Sequence, residues 1–277
     1  MHADPMSMAR PGARPRRRVH RETIRFQRLR VLFALVVREM NTKFGRSYGG
    51  YVWAIAEPLG GVMLLNLAFS LTVRHPPLGT SFPLFYATGI VPFFLFTGVA
   101  SAVASAVATN RGLLHYPVVS PLDAVFGKFI LNFLTMMVVG ILLTTGIILI
   151  WRVPVTLDPL AALTGFTLCG LLGLGVGTVN CVLFGLFPTW RNIWNVMTKP
   201  LFIVSGTFFI FEAAPPAFQH ILWWNPLVHG VALVRAGFYG SYDPYYVSIP
   251  YVLAVAGSLF VIGAYLLRRH ASWLIEN

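Results

Sequence analysis

The stretch that decides the fold is residues 124–151, with the sequence AVFGKFILNFLTMMVVGILLTTGIILIW. It contains a single charged side chain, Lys128. A helix of about 20 apolar residues is long enough to cross the hydrocarbon core of a bilayer. Inside that core a helix satisfies its own peptide hydrogen bonds, whereas open strands and loops do not. The stretch therefore predicts a transmembrane α-helix.

Further apolar runs of similar length lie on both sides of this stretch. They cover residues 49–73, 82–108, 160–187, 193–211 and 246–267. Of the 277 residues, 56% are hydrophobic and 11% are charged, and the mean hydropathy is +0.70. Soluble domains carry about a quarter charged residues. We therefore expect an all-α integral membrane protein with six transmembrane helices.

Residues 212–240 are also apolar, but they contain residues that break helices or are polar. These are Pro215, Pro216, Asn225, Pro226, His229, Gly230, Arg235 and Gly237. A broken backbone is costly in lipid unless protein shields it. We therefore expect a re-entrant or interfacial hairpin on the periplasmic side, just before the last transmembrane helix.

The net charge of +12 is a topology signal. Twelve basic residues lie between Arg10 and Arg46, with too few aromatic residues among them to suggest a nucleic-acid partner. With six crossings, eighteen of the 21 Lys and Arg side chains fall on one side, and Arg74, Arg152 and Arg235 fall on the other. Basic flanks stay in the cytoplasm. Both termini are therefore predicted to be cytoplasmic.

The N-terminal region divides into two parts. Residues 1–23 are basic, and we expect them to be disordered. Residues 24–46 predict an amphipathic helix, with an apolar stripe of Leu29, Phe33, Val36, Met40 and Phe44 and a polar arc of Arg28, Arg30, Arg38, Glu39, Asn41 and Lys43. Such a helix lies along the cytoplasmic leaflet, and the alternative is a soluble helix packed on a partner. Residues 47–277 form the transmembrane domain.

Residues 160–187 carry a small side chain at every fourth position: Gly165, Cys169, Gly173, Gly177, Cys181 and Gly185. Small side chains let helices approach closely in lipid. The partner helix belongs either to the same chain or to a second copy. Because both cysteines of the chain lie inside this run, they indicate neither a disulfide nor a cysteine zinc site.

Common catalytic motifs are absent from the sequence. It contains no GxxxxGK[ST] phosphate loop, no HExxH zinc motif and no GxSxG nucleophile motif. We therefore expect no catalytic residue, no metal site and no cofactor on this chain. If it moves a solute against a gradient, the energy comes from a partner or an ion.

Several short strings resemble a known transporter family. In chain order they are KFGR at 43–46, YGGYVWA at 48–54, EP at 57–58, GIVPFF at 89–94, NRGLL at 110–114, PLD at 121–123, KPL at 199–201 and WNPLVH at 224–229. Their order and spacing resemble the membrane permease of capsular polysaccharide ABC exporters, the KpsM type.

This resemblance implies a homodimer of six-span permeases, joined to two copies of a cytoplasmic ATPase that binds ATP and Mg²⁺. Such a complex exports a lipid-linked polysaccharide across the bacterial inner membrane, toward a periplasmic co-polymerase and outer-membrane export proteins. The resemblance also places an interfacial helix at 24–46 and an ATPase-coupling loop at 109–123. The coupling residues expected there are Asn110, Arg111, Leu113, Leu114, Tyr116 and Asp123.

The first and fifth crossings are where the family places the substrate path. Sugar rings stack on aromatic faces, so Tyr51, Trp53, Phe202 and Phe208 are candidate path residues; membrane aromatics also form interfacial belts. Glu57 is a further candidate, because a carboxylate at that depth is costly unless it is paired or faces water. Its alternative role is to bind a neighbouring helix or the backbone near Pro58.

The hairpin and the cytoplasmic mouth supply the remaining candidates. In the hairpin these are Trp223, Trp224, His229 and Arg235, and at the mouth they are Lys43, Arg46 and Arg191. His229 and Arg235 either meet the substrate or its lipid headgroup, or pair with Glu212 or Asp243. The three basic residues at the cytoplasmic mouth either attract acidic groups through charge-assisted hydrogen bonds or only anchor the helices at the membrane surface.

Functions of the same class and of another class are also compatible with this pattern. One is an exporter of the same architecture that carries O-antigen, teichoic acid or small drugs. The other class is a membrane-embedded glycan-processing enzyme, or a passive channel. An enzyme needs acidic or histidine pairs at helical spacing within the crossings, and the chain offers almost none. A passive channel needs no ATPase.

Overall fold

The computed structural model describes residues 24–44, 50–71, 75–115 and 119–276, and over these ranges the chain is helical and contains no β-strand. The segment 1–23, together with Arg46 and Tyr116, lies outside the described residues. The prediction of an all-α fold is confirmed.

Eleven α-helices make up the described part of the chain. They are α1 Ile24–Phe44, α2 Gly50–Ser70, α3 Phe82–Ala104, α4 Ala106–Leu114, α5 Pro121–Trp151, α6 Pro159–Leu186, α7 Trp190–Val204, α8 Pro216–Trp223, α9 Pro226–Phe238, α10 Ile249–Arg269 and α11 Ala271–Glu276. A 3-10 turn at Phe211–Ala213 precedes α8.

Within the described ranges, four helical segments are long and apolar enough to cross a membrane. They are α3 continued by α4, α5, α6 and α10. They correspond to four of the six predicted crossings. The other two, 49–73 and 193–211, correspond to α2, whose apolar part is Ile55–Phe69, and to α7.

The apolar run 193–211 is not one continuous helix. α7 ends at Val204 after 15 residues, about 22 Å, which is shorter than the hydrocarbon core. Gly206 then adopts a φ of +78°, a left-handed conformation that glycine reaches without steric cost. The Ser205 hydroxyl donates to the carbonyl oxygen of Phe202 over 2.8 Å, which satisfies part of the helix end. The chain therefore turns where the hydropathy pattern predicted continued helix.

α6 lies at the centre of the bundle and packs against α3, α9 and α10. A Cβ atom added at Gly173 would lie 2.7 Å from the carbonyl oxygen of Phe96 in α3. One added at Gly165 would lie 2.6 Å from that of Gly230 in α9. The stripe of small residues thus packs within the chain, which decides between the two alternatives that the sequence left open.

The bundle has two distinct ends, named here for the elements they carry. At the α1 end, α1 and α4 meet the first turns of α5, and α11 packs on α4. At the hairpin end, residues 205–248 meet the loop before α6. There the Asp158 amide donates to the Gly237 carbonyl over 2.8 Å, and the Gly240 amide donates to the Thr156 hydroxyl over 2.7 Å.

Candidate functional site

A groove of about 640 Å³ lies between α3, the end of α6 and α7, toward the α1 end. Its lining combines aromatic rings, hydroxyl and amide groups and two cations: Phe93, Phe94, Thr97, Ser101, Ser105, Phe184, Arg191, Trp194, Asn195, Thr198, Lys199 and Phe202. The guanidinium of Arg191 lies 5.4 Å from the centre of the Phe184 ring. Such a lining suits a ligand that carries both hydroxyl and anionic groups.

Aromatic rings continue from this groove toward the hairpin end. The Phe202 ring lies 4.8 Å from that of Phe93 and 5.0 Å from that of Phe208. The Phe208 ring is 6.2 Å from that of Phe69, which lies 5.5 Å from Tyr86. We call these five residues the aromatic row. Two of them were predicted from the sequence; the other three come from α2 and α3, which the chain brings alongside α7 only by folding.

The predicted path residues at the start of the first crossing are described only in part. Tyr51 and Trp53 belong to α2 and Lys43 belongs to α1, but their side chains lie outside the described residues. Glu57 is exposed, and it lines a polar cavity of about 430 Å³. The sequence also left open that Glu57 binds a neighbouring helix or the backbone near Pro58. Its exposed position gives no support to that alternative.

Four polar side chains meet at the α1 end, and we call them the α1 clasp. The Glu39 carboxylate lies 2.6 Å from the Lys128 Nζ atom and accepts a hydrogen bond of 2.9 Å from the Asn110 amide nitrogen. The Asn110 amide oxygen in turn accepts one of 2.8 Å from Arg38. Glu39 and Asn110 are buried, with 7% and 2% of their surface exposed. The sequence placed Glu39 on the polar arc of α1 but carried no signal that it faces α4 and α5.

The predicted ATPase-coupling residues take different positions in the structure. Asn110 and Leu114 are buried in the bundle, and Arg111 and Leu113 are half-buried on α4. Asp123 and Ser120 form a capping box at the start of α5, in which each side chain accepts a hydrogen bond from the other's amide. Asp123 therefore fixes where the coupling loop ends and α5 begins.

Arg235 is buried at the hairpin end, with 2% of its surface exposed. Its guanidinium donates to the carbonyl oxygens of Thr207 over 2.9 Å and of Phe209 over 2.7 Å, and it lies 4.2 Å from the centre of the Phe85 ring. These partners belong to the turn after α7 and to α3. Arg235 thus pins α9 to that turn through main-chain contacts, rather than through a salt bridge.

The sequence left Glu212 and Asp243 open as acidic partners of Arg235. The structure places each of them in a different environment. Glu212 accepts a hydrogen bond of 3.2 Å from the Tyr242 hydroxyl. Burial raises the pKa of Tyr242 to about 12, so this hydroxyl keeps its proton and donates at neutral pH. Asp243 is exposed.

His229 is fully buried, and both of its ring nitrogens have partners. The Ser248 amide donates to Nδ1 over 3.2 Å, so Nε2 carries the proton and donates to the Trp223 carbonyl oxygen over 2.8 Å. The Trp223 ring stacks on Tyr251 at 5.0 Å, whereas Trp224 is 69% exposed. In this conformation His229 positions the hairpin, and Trp224 presents the larger free surface.

A sequence profile of the family described as ABC-2 type transporter matches residues 30–239, which is most of the chain. The chain belongs to the ABC-2 type transporter family. In this ABC-2 transporter chain, the α1 clasp, the groove, the aromatic row and Arg235 all lie within the matched residues. Over the described ranges, no group of three or more His, Cys, Asp and Glu side chains is placed to hold a metal ion.

Similar proteins cover nearly the whole ABC-2 transporter chain. The polysialic acid transport protein KpsM of Escherichia coli is 30% identical over 247 residues, which cover 88% of this chain and 95% of that protein. Two capsule polysaccharide export inner-membrane proteins, CtrC of Neisseria meningitidis serogroup A and BexB of Haemophilus influenzae, are each 25% identical. Their matches cover 87% of this chain and 91% of each relative.

Proposed function

We propose that this chain is the membrane permease subunit of an ABC exporter that moves a lipid-linked capsular polysaccharide across the bacterial inner membrane. The observation that carries the proposal is similarity along nearly the whole chain to KpsM, CtrC and BexB. A separate cytoplasmic ATPase, present in two copies, binds ATP and Mg²⁺ and drives transport. The chain itself carries out no chemical step.

In this proposal the six crossings are α2, α3, α5, α6, α7 and α10, and both termini are cytoplasmic. Because α7 is shorter than the hydrocarbon core, the turn that follows it completes its crossing. α1 lies along the cytoplasmic leaflet, with Phe33 and Met40, 71% and 39% exposed, directed away from the bundle. The turn after α7, together with α8 and α9, forms the re-entrant periplasmic hairpin. The distribution of basic residues supports this orientation.

The polysaccharide moves along the groove and the aromatic row. The partly exposed rings of the row contact the C–H faces of successive sugars without demanding one fixed set of hydrogen bonds, which suits a long repeating polymer. Phe93 and Tyr86, which are 3% and 2% exposed, only support these rings from inside the bundle. Arg191 and Lys199 in the groove attract acidic sugars or a lipid phosphate. The groove is open along α7, so a second wall is needed to close a channel.

A second copy of the chain supplies that wall. Beside the groove, α7 exposes Val196, Met197 and Ile203, which are 66%, 50% and 60% exposed. An apolar face next to a polar groove is better covered by protein than by lipid when the groove carries a hydrated polymer. Beyond the membrane, the polymer passes to a periplasmic co-polymerase and outer-membrane export proteins.

Deletion of the gene from its source bacterium, followed by complementation, tests this function. We expect surface capsule to disappear and polymer to accumulate inside the cell, and the wild-type gene to reverse both effects. Affinity purification of the tagged chain should also recover an ATPase subunit that hydrolyses ATP.

The same experiment separates the alternatives. If polymer synthesis stops and nothing accumulates, the chain is a glycan-processing enzyme. Normal capsule together with altered lipopolysaccharide indicates an O-antigen exporter. A chain that purifies without an ATPase and still passes substrate is a passive channel.

A further inference from the structure

The α1 clasp attaches the interfacial helix to the rest of the bundle through a charged contact. The Glu39 and Lys128 side chains are only 9% and 14% exposed, and their charged atoms lie 2.6 Å apart. Removing one partner of a buried ion pair leaves the other charge without compensation in a poorly solvated place. The contact therefore strongly favours one position of α1 against α5.

Asn110 extends this contact to α4. Its amide nitrogen donates to Glu39 over 2.9 Å and to the Ala106 carbonyl oxygen over 3.0 Å, while its amide oxygen accepts from Arg38 over 2.8 Å. Because both ends of this buried amide are used, a shift of α1 by a single residue, about 1.5 Å, would break bonds on both sides. The same side chains thus join α1 to α4 as well as to α5.

An apolar contact lies one helical turn away from the clasp. Leu35 is 5% exposed, and a Cβ atom added at Gly127 would lie 3.4 Å from the Leu35 Cβ atom. α1 and α5 are therefore in close backbone contact beside the ion pair. The two contacts together define the surface on which α1 rests.

We propose that Glu39, Lys128, Asn110 and Arg38 are positioning residues that fasten α1 to α4 and α5, so that these elements move as one body when the ATPase cycles. The inference rests on the proposed function and on the family resemblance, which places the ATPase-coupling loop at 109–123. Asn110 directly precedes Arg111 in that segment. A displacement of the coupling loop by the ATPase is therefore transmitted to α1 through the clasp.

The clasp also connects the ATPase contact to the substrate path. Glu39 and Lys128 form part of the wall of the 430 Å³ cavity that Glu57 lines from α2. Displacement of α1 together with α4 and α5 changes this wall and the surroundings of Glu57. The clasp thereby links the coupling loop to the start of the first crossing.

The first test measures transport and ATP hydrolysis on the same inverted membrane vesicles, which contain the chain and its ATPase. We expect Glu39→Gln and Lys128→Met to lower ATP-driven uptake of polysaccharide by about tenfold, a typical coupling effect. ATP hydrolysis and the amount of protein in the membrane should change less than about twofold. Arg30→Gln, an exposed residue of the same helix, serves as the control and should transport normally.

The second test replaces the clasp by a covalent bond. Leu35→Cys and Gly127→Cys are combined in a chain that also carries Cys169→Ala and Cys181→Ala, and the vesicles are oxidised. The Cβ separation of 3.4 Å lies just below the range of about 3.5–4.5 Å found in disulfides, so the bond needs only a small adjustment of α1. We expect the cross-link to leave transport intact and to restore it when Glu39→Gln is also present.

The outcomes separate the clasp from the proposed function. A wild-type complex without ATP-dependent transport overturns the proposed function and the clasp inference with it. A wild-type complex that transports, while Glu39→Gln transports equally well, overturns the clasp inference alone. A cross-link that stops transport also overturns the clasp inference, because α1 must then slide on α5. An equal loss of transport, ATP hydrolysis and protein level overturns it as well, because the clasp then only supports folding.

Discussion

At the scale of single residues, Arg235 shows how a buried cation can use main-chain carbonyl oxygens as its hydrogen-bond acceptors, although its Nε atom has no hydrogen-bond partner. A charged side chain inside an apolar segment is a functional candidate by default. Here its hydrogen bonds go to the carbonyl oxygens of Thr207 and Phe209, which flank Phe208 of the aromatic row. Arg235 therefore acts on the row indirectly, by fixing the turn from which the Phe208 ring projects.

We predict that Arg235→Lys destabilises the protein by about 2 kcal/mol, because an ammonium group does not reproduce the two-pronged contact of the guanidinium. Thermal unfolding of the purified protein in detergent measures this change. Arg152→Lys, at an exposed position of the same end, should leave stability unchanged. Normal stability together with lost capsule export would instead assign Arg235 a direct contact with the substrate.

Glu57 is the residue for which we predict an effect on transport without one on stability. It is exposed on the wall of a polar cavity, so Glu57→Gln removes a charge but leaves packing in place. We expect surface capsule to fall several-fold while the amount of protein in the membrane stays constant. Asp243→Asn, an exposed carboxylate of the hairpin end, is the matched control. Unchanged export by Glu57→Gln would remove this carboxylate from the mechanism.

At the scale of elements, the close packing of α6 depends on glycine at particular positions. A Cβ atom at Gly173 would meet the Phe96 carbonyl oxygen at 2.7 Å, whereas one at Gly146 in α5 would meet nothing within 4 Å. We predict that Gly173→Ala destabilises the protein by about 1–3 kcal/mol, since α3 and α6 must separate. Gly146→Ala should be neutral or stabilising by up to about 1 kcal/mol, because alanine favours helix.

Unfolding in a denaturing detergent, followed by circular dichroism, compares these two variants directly. Both substitutions add one methyl group to a helix, so helix propensity favours them equally. Only the contact with the neighbouring helix differs. Equal stability of the two variants would mean that the α3 and α6 backbones are not in close contact.

Helix periodicity predicts which residues share a face, but it does not predict which neighbour covers that face. The spacing in α1 separates an apolar stripe from a polar arc, and Glu39 falls on the arc. In the structure Glu39 is buried against Lys128, while Phe33 of the stripe is 71% exposed. The apolar stripe of α1 therefore faces outward, where lipid can cover it, and the Glu39 carboxylate faces inward, where it pairs with Lys128. The sequence alone could not distinguish this arrangement from a solvated polar face.

At the scale of the whole molecule, most of the fold could be predicted because the bilayer dictates it. The long runs 82–108, 124–151, 160–187 and 246–267 correspond to α3, α5, α6 and α10. Contacts between distant segments could not be predicted in this way. The aromatic row joins α2, α3 and α7, and Arg235 binds a carbonyl 28 residues away. Such pairings depend on how helices pack, and hydropathy carries no information on packing partners.

The orientation of the whole molecule gives the last prediction. Eighteen of the 21 Lys and Arg residues fall on one side when the chain crosses six times. Each basic residue near anionic lipid favours that side by about 1 kcal/mol. We therefore predict that the N-terminus and α11 are cytoplasmic, and that the exposed loop around Asp243 is periplasmic.

Single cysteines in a chain with Cys169→Ala and Cys181→Ala test this orientation. In cells with a permeable outer membrane, an impermeant maleimide should label Asp243→Cys but should reach Ser7→Cys and Glu276→Cys only after lysis. Labelling of Glu276→Cys from outside, with Ser7→Cys protected, would require an odd number of crossings. Either α2 or α7 would then fail to span the bilayer, and α1 and α11 would lie on opposite sides. Because α11 packs on α4, and Asn110 of α4 binds Glu39 of α1, that result would contradict the packing at the α1 end as well.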